Sequence, residues 1–215
     1  MQEQRVGKRN NIAERLRRAG LNPQEHTVRK AILTAFAAGG KAPSVEDLAD
    51  TLGLPLAAVL EVCRTLAAYD LMVWKDDETH IISAYPFSGL PTSHQVRIGG
   101  QTTLYAMCAI DALGIPFMLS HGACIRSACF FCHQPVTVDI DGGLLRSAHP
   151  STIVVWSSER DGSCVAEARC PLVNFFCDTR HLRAWRATSP QERGASLSIM
   201  EALEVGKAAF GALLA

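Results

Sequence analysis

Apolar residues recur at helical spacing over residues 28–38 and stop at Gly39-Gly40, which predicts a first core helix. Ser44, with Asp47 three positions on, has the form of a capping box leading into Leu48 and Leu52, and Gly53 ends that second pattern. Leu56, Val59, Leu60, Cys63 and Leu66 repeat the helical period a third time. Residues 71–74 and 81–84 then read as two short strands around the polar Asp76-Asp77-Glu78. Three helices and a hairpin make 28–84 a winged-helix-like domain. Ahead of it, residues 1–27 form a basic arm or surface helix carrying Arg5, Lys8, Arg9, Arg15, Arg17 and Arg18. Residues 85–95, with Pro86, Gly89 and Pro91, read as a linker.

The pattern after the linker is mixed. An apolar helix is predicted over 102–113, stopped by Gly114 and Pro116, and strands over 136–140, 153–156 and 164–170. Asp141-Gly142-Gly143 and Asp161-Gly162 mark turns between the strands, and a last helix covers 197–214. The fold class expected is therefore α+β. An N-terminal winged-helix-like domain precedes a mixed α/β domain over 96–215, with a small, mostly antiparallel sheet and flanking helices.

Charge narrows the partners. Twenty-one Lys and Arg balance twenty-one Asp and Glu in 215 residues, so no net field draws the protein to nucleic acid or an anionic membrane. A winged helix raises the question of DNA, but residues 54–69 offer only Arg64 as a base and the hairpin turn is acidic. Neither a nucleic-acid nor a membrane partner is expected. The N-terminus has basic residues without an apolar run, which leaves the cytoplasm as the expected location. There the eight cysteines should be reduced, favouring metal binding or catalysis over disulfides.

Seven of those cysteines lie between residues 108 and 177. Asp111 is the only Asp, Glu, Lys or Arg between Arg97 and Arg126, and it stands three residues from Cys108, so a thiol and a carboxyl point together into an apolar region. A carboxyl buried without a partner holds its proton to a higher pH, as a general acid requires. The alternative is a capping or salt-bridged aspartate beside an inert core cysteine. Over the strand expected at 164–170, Cys164, Ala166, Ala168 and Cys170 alternate with the polar Glu167 and Arg169, so the small face turns inward and Cys170 becomes a second buried thiol, just before Pro171 and the apolar Leu172, Val173, Phe175 and Phe176. Cys129 and Cys132 form a C-x-x-C that could bind zinc with Cys124, His133, Cys164 or Cys177, or act as a redox pair. A second C-x-x-C, which would make zinc a strong reading, is missing.

The run Tyr105-Ala106-Met107-Cys108-Ala109-Ile110-Asp111 resembles the Y-A-x-C-A-x-D motif of the organomercurial (alkylmercury) lyases. The resemblance continues through Cys129 with Pro135-Val136 and Cys170 with Asn174-Phe175-Phe176, and more weakly through Ala184-Trp185 and Glu201-Ala202. It implies cleavage of a carbon–mercury bond by protonation, for mercury detoxification. Cys108 and Cys170 match the mercury-binding thiols, Asp111 the carboxyl that completes the site, and Cys129 a structural cysteine. It further implies no resident cofactor: mercury is substrate and Hg(II) product, low-molecular-weight thiols support turnover, and a mercuric reductase is a possible recipient. The family often has Trp where Met107 stands, and a second cysteine where Pro171 stands. A thiolate-based winged-helix regulator, or a relative that handles no mercury, is the alternative, and a sensor has no need of a buried acid beside its thiols.

Overall fold

The computed structural model describes residues 12–75, 80–99, 102–159, 165–211 and 214. Four helices open the described residues: α1 (Ile12–Ala19), α2 (Pro23–Gly39), α3 (Val45–Leu52) and α4 (Leu56–Ala68). Strands β1 (Met72–Trp74), β2 (Ile81–Ala84), β3 (Phe87–Ser88), β4 (Gln95–Ile98) and β5 (Thr102–Ala106) lead to α5 (Ala109–Leu119). Then come β6 (Ala123–Ala128), β7 (Pro135–Asp141), β8 (Leu144–His149), β9 (Val154–Ser158) and the single turn α6 (Val165–Ala168). A 3₁₀ turn at Cys170–Leu172 precedes β10 (Asn174–Phe176), α7 (Thr179–Thr188), β11 (Gly194–Ser198) and α8 (Ile199–Phe210). The first eight strands form one antiparallel sheet in the order β1-β2-β3-β5-β4-β6-β7-β8, and β10-β9-β11 form a second. The α+β class expected from the sequence is what the chain adopts.

Local chemistry accounts for the helix ends. Asn22 accepts from the Glu25 N–H while the Glu25 carboxylate accepts from the Asn22 N–H, a reciprocal cap with Pro23 in the first turn. This cap starts α2 five residues before the apolar pattern does. Ser44 caps α3 by accepting from the Asp47 N–H at 2.9 Å, and Gly53 closes it in the left-handed conformation.

Four sequence expectations need correction. The residues read as a linker hold β3, with Tyr85, Phe87, Ser88 and His94 all buried, and β3 joins β2 to β5. The hairpin after α4 is thus the edge of the large sheet, which is why that sheet is not small. Second, residues 102–106 are a strand, not the first turns of a helix. Thr102 and Thr103 suit the pleat, and a run this apolar fits either period until β4 pairs with it. The helix starts at Ala109 and runs through Gly114 and Pro116 to Leu119. Third, the strand expected over 164–170 is the α6 turn and the 3₁₀ turn; Cys164 and the two turns expected at Asp76-Asp77-Glu78 and Asp161-Gly162 lie outside the described residues. Fourth, Arg15 is not a solvated residue of a basic arm but is buried, with 6% of its surface exposed.

Helix α5 is the centre of the molecule. It touches β4, β5 and β6 of the large sheet and β9 and β10 of the small one, and every residue from Ala109 to Pro116 is buried. Its closest neighbour is α8, admitted by paired glycines: a Cβ on Gly206 would lie 2.9 Å from the Gly114 nitrogen and 3.0 Å from the Ile110 carbonyl. Among the described residues no single helix is long and apolar enough to cross a membrane.

Candidate active site

Cys108 sits at the junction of β5 and α5. Its backbone is extended (φ −153°, ψ 176°), which makes it the N-cap of α5, and its Sγ accepts from the Asp111 N–H at 3.4 Å. Asp111 therefore occupies the third helical position, where a capping arrangement returns a side chain toward the cap. The three-residue spacing brings the thiol and the carboxyl together, by a cap rather than by one face of a longer helix. The chain from Cys170 is fastened to the same point, because the Val173 carbonyl accepts from the Ala109 N–H at 3.0 Å. As a result one ligand atom each of Cys108, Asp111 and Cys170 lies within 4.8 Å of the others, and all three residues are buried.

Burial sets the chemistry of this trio. The Asp111 carboxyl is pushed up to about 7, chiefly by loss of water; the Cys108 thiol and the positive charges of Arg15 and Arg169 pull the other way and only partly offset it. Its Oδ2 is buried with no hydrogen-bond partner among the described residues. The Cys108 thiol is held well above its ordinary value by burial, by the Cys170 thiol and by the Asp111 charge, against the single N–H of Asp111. Arg15 reaches this region from α1 and is fixed by an ion pair to Asp70 at 2.9 Å and by stacking on Tyr85, 4.2 Å from the ring centre. Asp70 also accepts from the Val165 N–H at 3.1 Å, just upstream of Cys170.

A cavity of about 440 Å³ opens onto Cys170 and is lined further by Ser88, Thr92, His94, Phe130 and Asn174. That size suits a small organic ligand. Cys108 and Asp111 are not among its lining residues, though Met107, next to Cys108 in the chain, is. Burial pushes the His94 imidazole down to about 4, with a bond to Asn174 opposing, and its Nδ1 is 3.0 Å from the Ser127 hydroxyl. It is neutral near pH 7 and offers no charge to the cavity.

Cys129 is part of a different group. Its sulfur is fully buried, accepts from the Cys177 N–H at 3.4 Å and lies 3.6 Å from the His181 Nδ1, while Cys132 Sγ is 3.7 Å from Cys177 Sγ. Burial drives its thiol up, but the N–H groups of Cys132, Cys177 and Phe131, with His181, outweigh that and hold it at about 7. Cys124 and His133 are not in this group, and His181 was not foreseen from the sequence. The signal for it was the C-x-x-x-H of Cys177 and His181, downstream of the C-x-x-C.

The family described as "MerB: Alkylmercury lyase" matches residues 87–211. The chain belongs to the alkylmercury lyase family. It is 30% identical over 176 residues to the alkylmercury lyase of Bacillus cereus, spanning 81% of this chain and 77% of that enzyme. Likeness to the alkylmercury lyase of Staphylococcus epidermidis is also 30%, over 179 residues, 83% of this chain and 79% of that one. The crystal structure of the mercury-bound form of MerB2 superposes with a TM-score of 0.80 at 25% identity, covering 95% of this chain and 97% of that one. The match to this alkylmercury lyase fold thus extends beyond the family region to the N-terminal helices.

Proposed function

We propose that this member of the alkylmercury lyase family cleaves the carbon–mercury bond of organomercurials by protonolysis, with Cys108 and Cys170 holding mercury and Asp111 carrying the proton. The observation that supports this most is the buried trio itself: two soft donors for a soft ion, beside an acid whose pKa lies near neutrality. Membership of the family and the MerB2 likeness point to the same reaction.

The organomercurial R–Hg–SR′ arrives as the adduct of a low-molecular-weight thiol. Cys170, on the cavity wall, attacks mercury first; its proton leaves with R′S⁻ as R′SH. Cys108 then binds the same mercury and yields its proton to the Asp111 carboxylate. With two thiolates on mercury, electron density shifts onto carbon, Asp111 delivers its proton there, and R–H departs. Hg(II) is left on Cys108 and Cys170, and two exogenous thiols exchange it away, restoring both protons. The balance is R–Hg–SR′ plus two cysteine thiols giving R–H, R′SH and a mercury bis-thiolate.

The product would pass to cytosolic thiols or to a mercuric reductase, and the cytoplasm, where such thiols are reduced, suits the cycle. Helices α2 to α4 with the β1–β2 hairpin serve as a winged-helix-like scaffold. Arg64 on α4 is paired with Glu61 at 3.3 Å, which leaves that helix poorly equipped to hold phosphates. The test is incubation of the purified protein with an aryl mercurial and excess thiol, with the free arene measured by gas chromatography. Stoichiometric binding of mercury by folded protein without any arene would sink the lyase reading.

A further inference from the structure

The second thiol cluster lies outside the trio and has no part in the proposed reaction. Cys129 and Cys132 come from the turn between β6 and β7, Cys177 from the end of β10, and His181 from the first turn of α7. The N-cap of α7, Asp178, accepts from the His181 N–H at 2.9 Å and so fixes where that imidazole starts. His133, directly after Cys132, takes the left-handed conformation (φ 61°) and donates its N–H to the Cys129 carbonyl at 2.9 Å. That bend curls the C-x-x-C so that both sulfurs face one point. One donor atom from each of the four residues falls within 4.8 Å of all the others.

The spacing carries the argument further. Zinc takes sulfur at about 2.3 Å and imidazole nitrogen at about 2.0–2.1 Å, so tetrahedral angles separate two sulfurs by about 3.8 Å and sulfur from nitrogen by about 3.6 Å. Cys132 Sγ and Cys177 Sγ are 3.7 Å apart, and Cys129 Sγ and His181 Nδ1 are 3.6 Å apart. Three sulfurs and one imidazole at C-x-x-C and C-x-x-x-H spacing form a donor set that suits zinc. Four protein donors leave no open coordination position.

We propose that Cys129, Cys132, Cys177 and His181 form a closed, four-coordinate zinc site that fastens the β6–β7 turn to the β10–α7 junction. The fastening bears on the reaction centre, because Phe130, inside the C-x-x-C, lines the cavity beside Cys170 and its N–H is donated to the Phe175 carbonyl at 2.9 Å. Phe131 packs on the His181 ring, with centroids 5.4 Å apart, and covers one side. The ion's role is structural: it replaces thiol protons, stays bound through turnover and undergoes no redox change.

The experiment measures zinc in the full chain purified under reducing conditions without chelator, by plasma mass spectrometry. One zinc per chain is expected in the wild type and equally in Cys108→Ser/Cys170→Ser, which loses the mercury-binding thiols and keeps these four donors. Cys132→Ala/Cys177→Ala should lose the zinc. In case that variant fails to fold, His181→Cys keeps four donors and should retain the metal, whereas His181→Ala should surrender it to a chelator far more readily. Wild-type protein stripped of metal and given one equivalent of Co(II) should show tetrahedral d–d bands with thiolate-to-cobalt charge transfer. Zinc-free wild type that gives no such spectrum overturns the proposal. So does zinc that disappears with Cys108 and Cys170, or a Cys132–Cys177 disulfide in protein kept reduced. Metal content is read without activity, so the result stands apart from the lyase assay.

Discussion

Replacing Asp111 by Asn should slow the chemistry and, above neutral pH, stabilise the fold. Asp111 is 5% exposed and its carboxyl is pushed from 3.8 to about 7 by burial. Between those values the folded chain holds a proton that the unfolded chain has released, so ionising the buried group makes wild-type stability fall as pH rises through that window. At about 1.4 kcal/mol per unit, the full loss is on the order of 4 kcal/mol, of which about 2–3 kcal/mol falls between pH 5 and pH 8. Asn has no such titration. Its amide takes the place of the unpartnered Oδ2 at a pH-independent cost of about 1–3 kcal/mol. The stability of Asp111→Asn relative to wild type should thus rise by about 2–3 kcal/mol from pH 5 to pH 8, or roughly 5–10 °C in melting temperature for a chain of this size. Urea titrations of both proteins at pH 5, 6.5 and 8 read this difference directly. The same variant should still take up an aryl mercurial on its thiols while releasing arene at least about 10²-fold more slowly in a single turnover. A stability difference that is flat across this range would mean that Asp111 does not titrate near neutrality, and the proton-carrier role would fall with it.

Cys108→Ser and Cys170→Ser should each abolish multiple turnover, since a hydroxyl does not replace a soft thiolate toward mercury; because Cys170 borders the cavity, Cys108→Ser should still trap the R–Hg adduct, seen by mass spectrometry. For the wild type, kcat/KM should rise with pH through about 7 as Asp111 becomes the carboxylate that accepts the Cys108 proton. Arg15→Met removes a positive charge that lowers the Asp111 pKa, so that limb should move to higher pH, whereas Asp70→Asn, which breaks the same ion pair but keeps the charge, should not move it upward. Gly206→Ala places a methyl 2.9 Å from the Gly114 nitrogen; it should cost about 1–3 kcal/mol by forcing α5 and α8 apart, measured by thermal unfolding.

The grouping of the candidate site residues was more legible than the fold around it. Cys108 and Asp111 were paired by their three-residue spacing, and the spacing holds although residues 102–106 form a strand, because an N-cap side chain meets the third helical position much as side chains one turn apart meet. Cys170 is buried as expected, although the strand alternation over 164–170 from which its burial was read is a pair of turns. The errors share a cause. Phe87-Ser88 joins the sheet by pairing with β5, Arg15 is buried by an ion pair with Asp70, 55 residues away, and His181 meets Cys129 across 52 residues. Local pattern carries no information about such meetings, and Pro86, Gly89 and Pro91 argue for a linker until the pairing is seen.

Burial at the trio raises a difficulty that the proposed reaction itself resolves. A nucleophile toward mercury must be a thiolate, yet the dry surroundings hold Cys108 protonated well past neutral pH. A standing thiolate would require a fixed positive charge or several N–H donors at the sulfur, and it would bind any borderline cation and oxidise readily. Here the carboxyl titrates near 7, below the thiol, so moving the thiol proton to Asp111 is uphill until a sulfur–metal bond forms. A soft ion that binds thiolate strongly provides that bond, and a hard ion does not. In the proposed reaction the proton released on capture would then sit on Asp111, beside the metal, where the carbon leaving group needs it. In the proposed reaction, the low acidity of the resting Cys108 thiol and the near-neutral acidity of the carboxyl therefore form one device: mercury, by displacing a proton, loads the acid that cleaves its own bond to carbon.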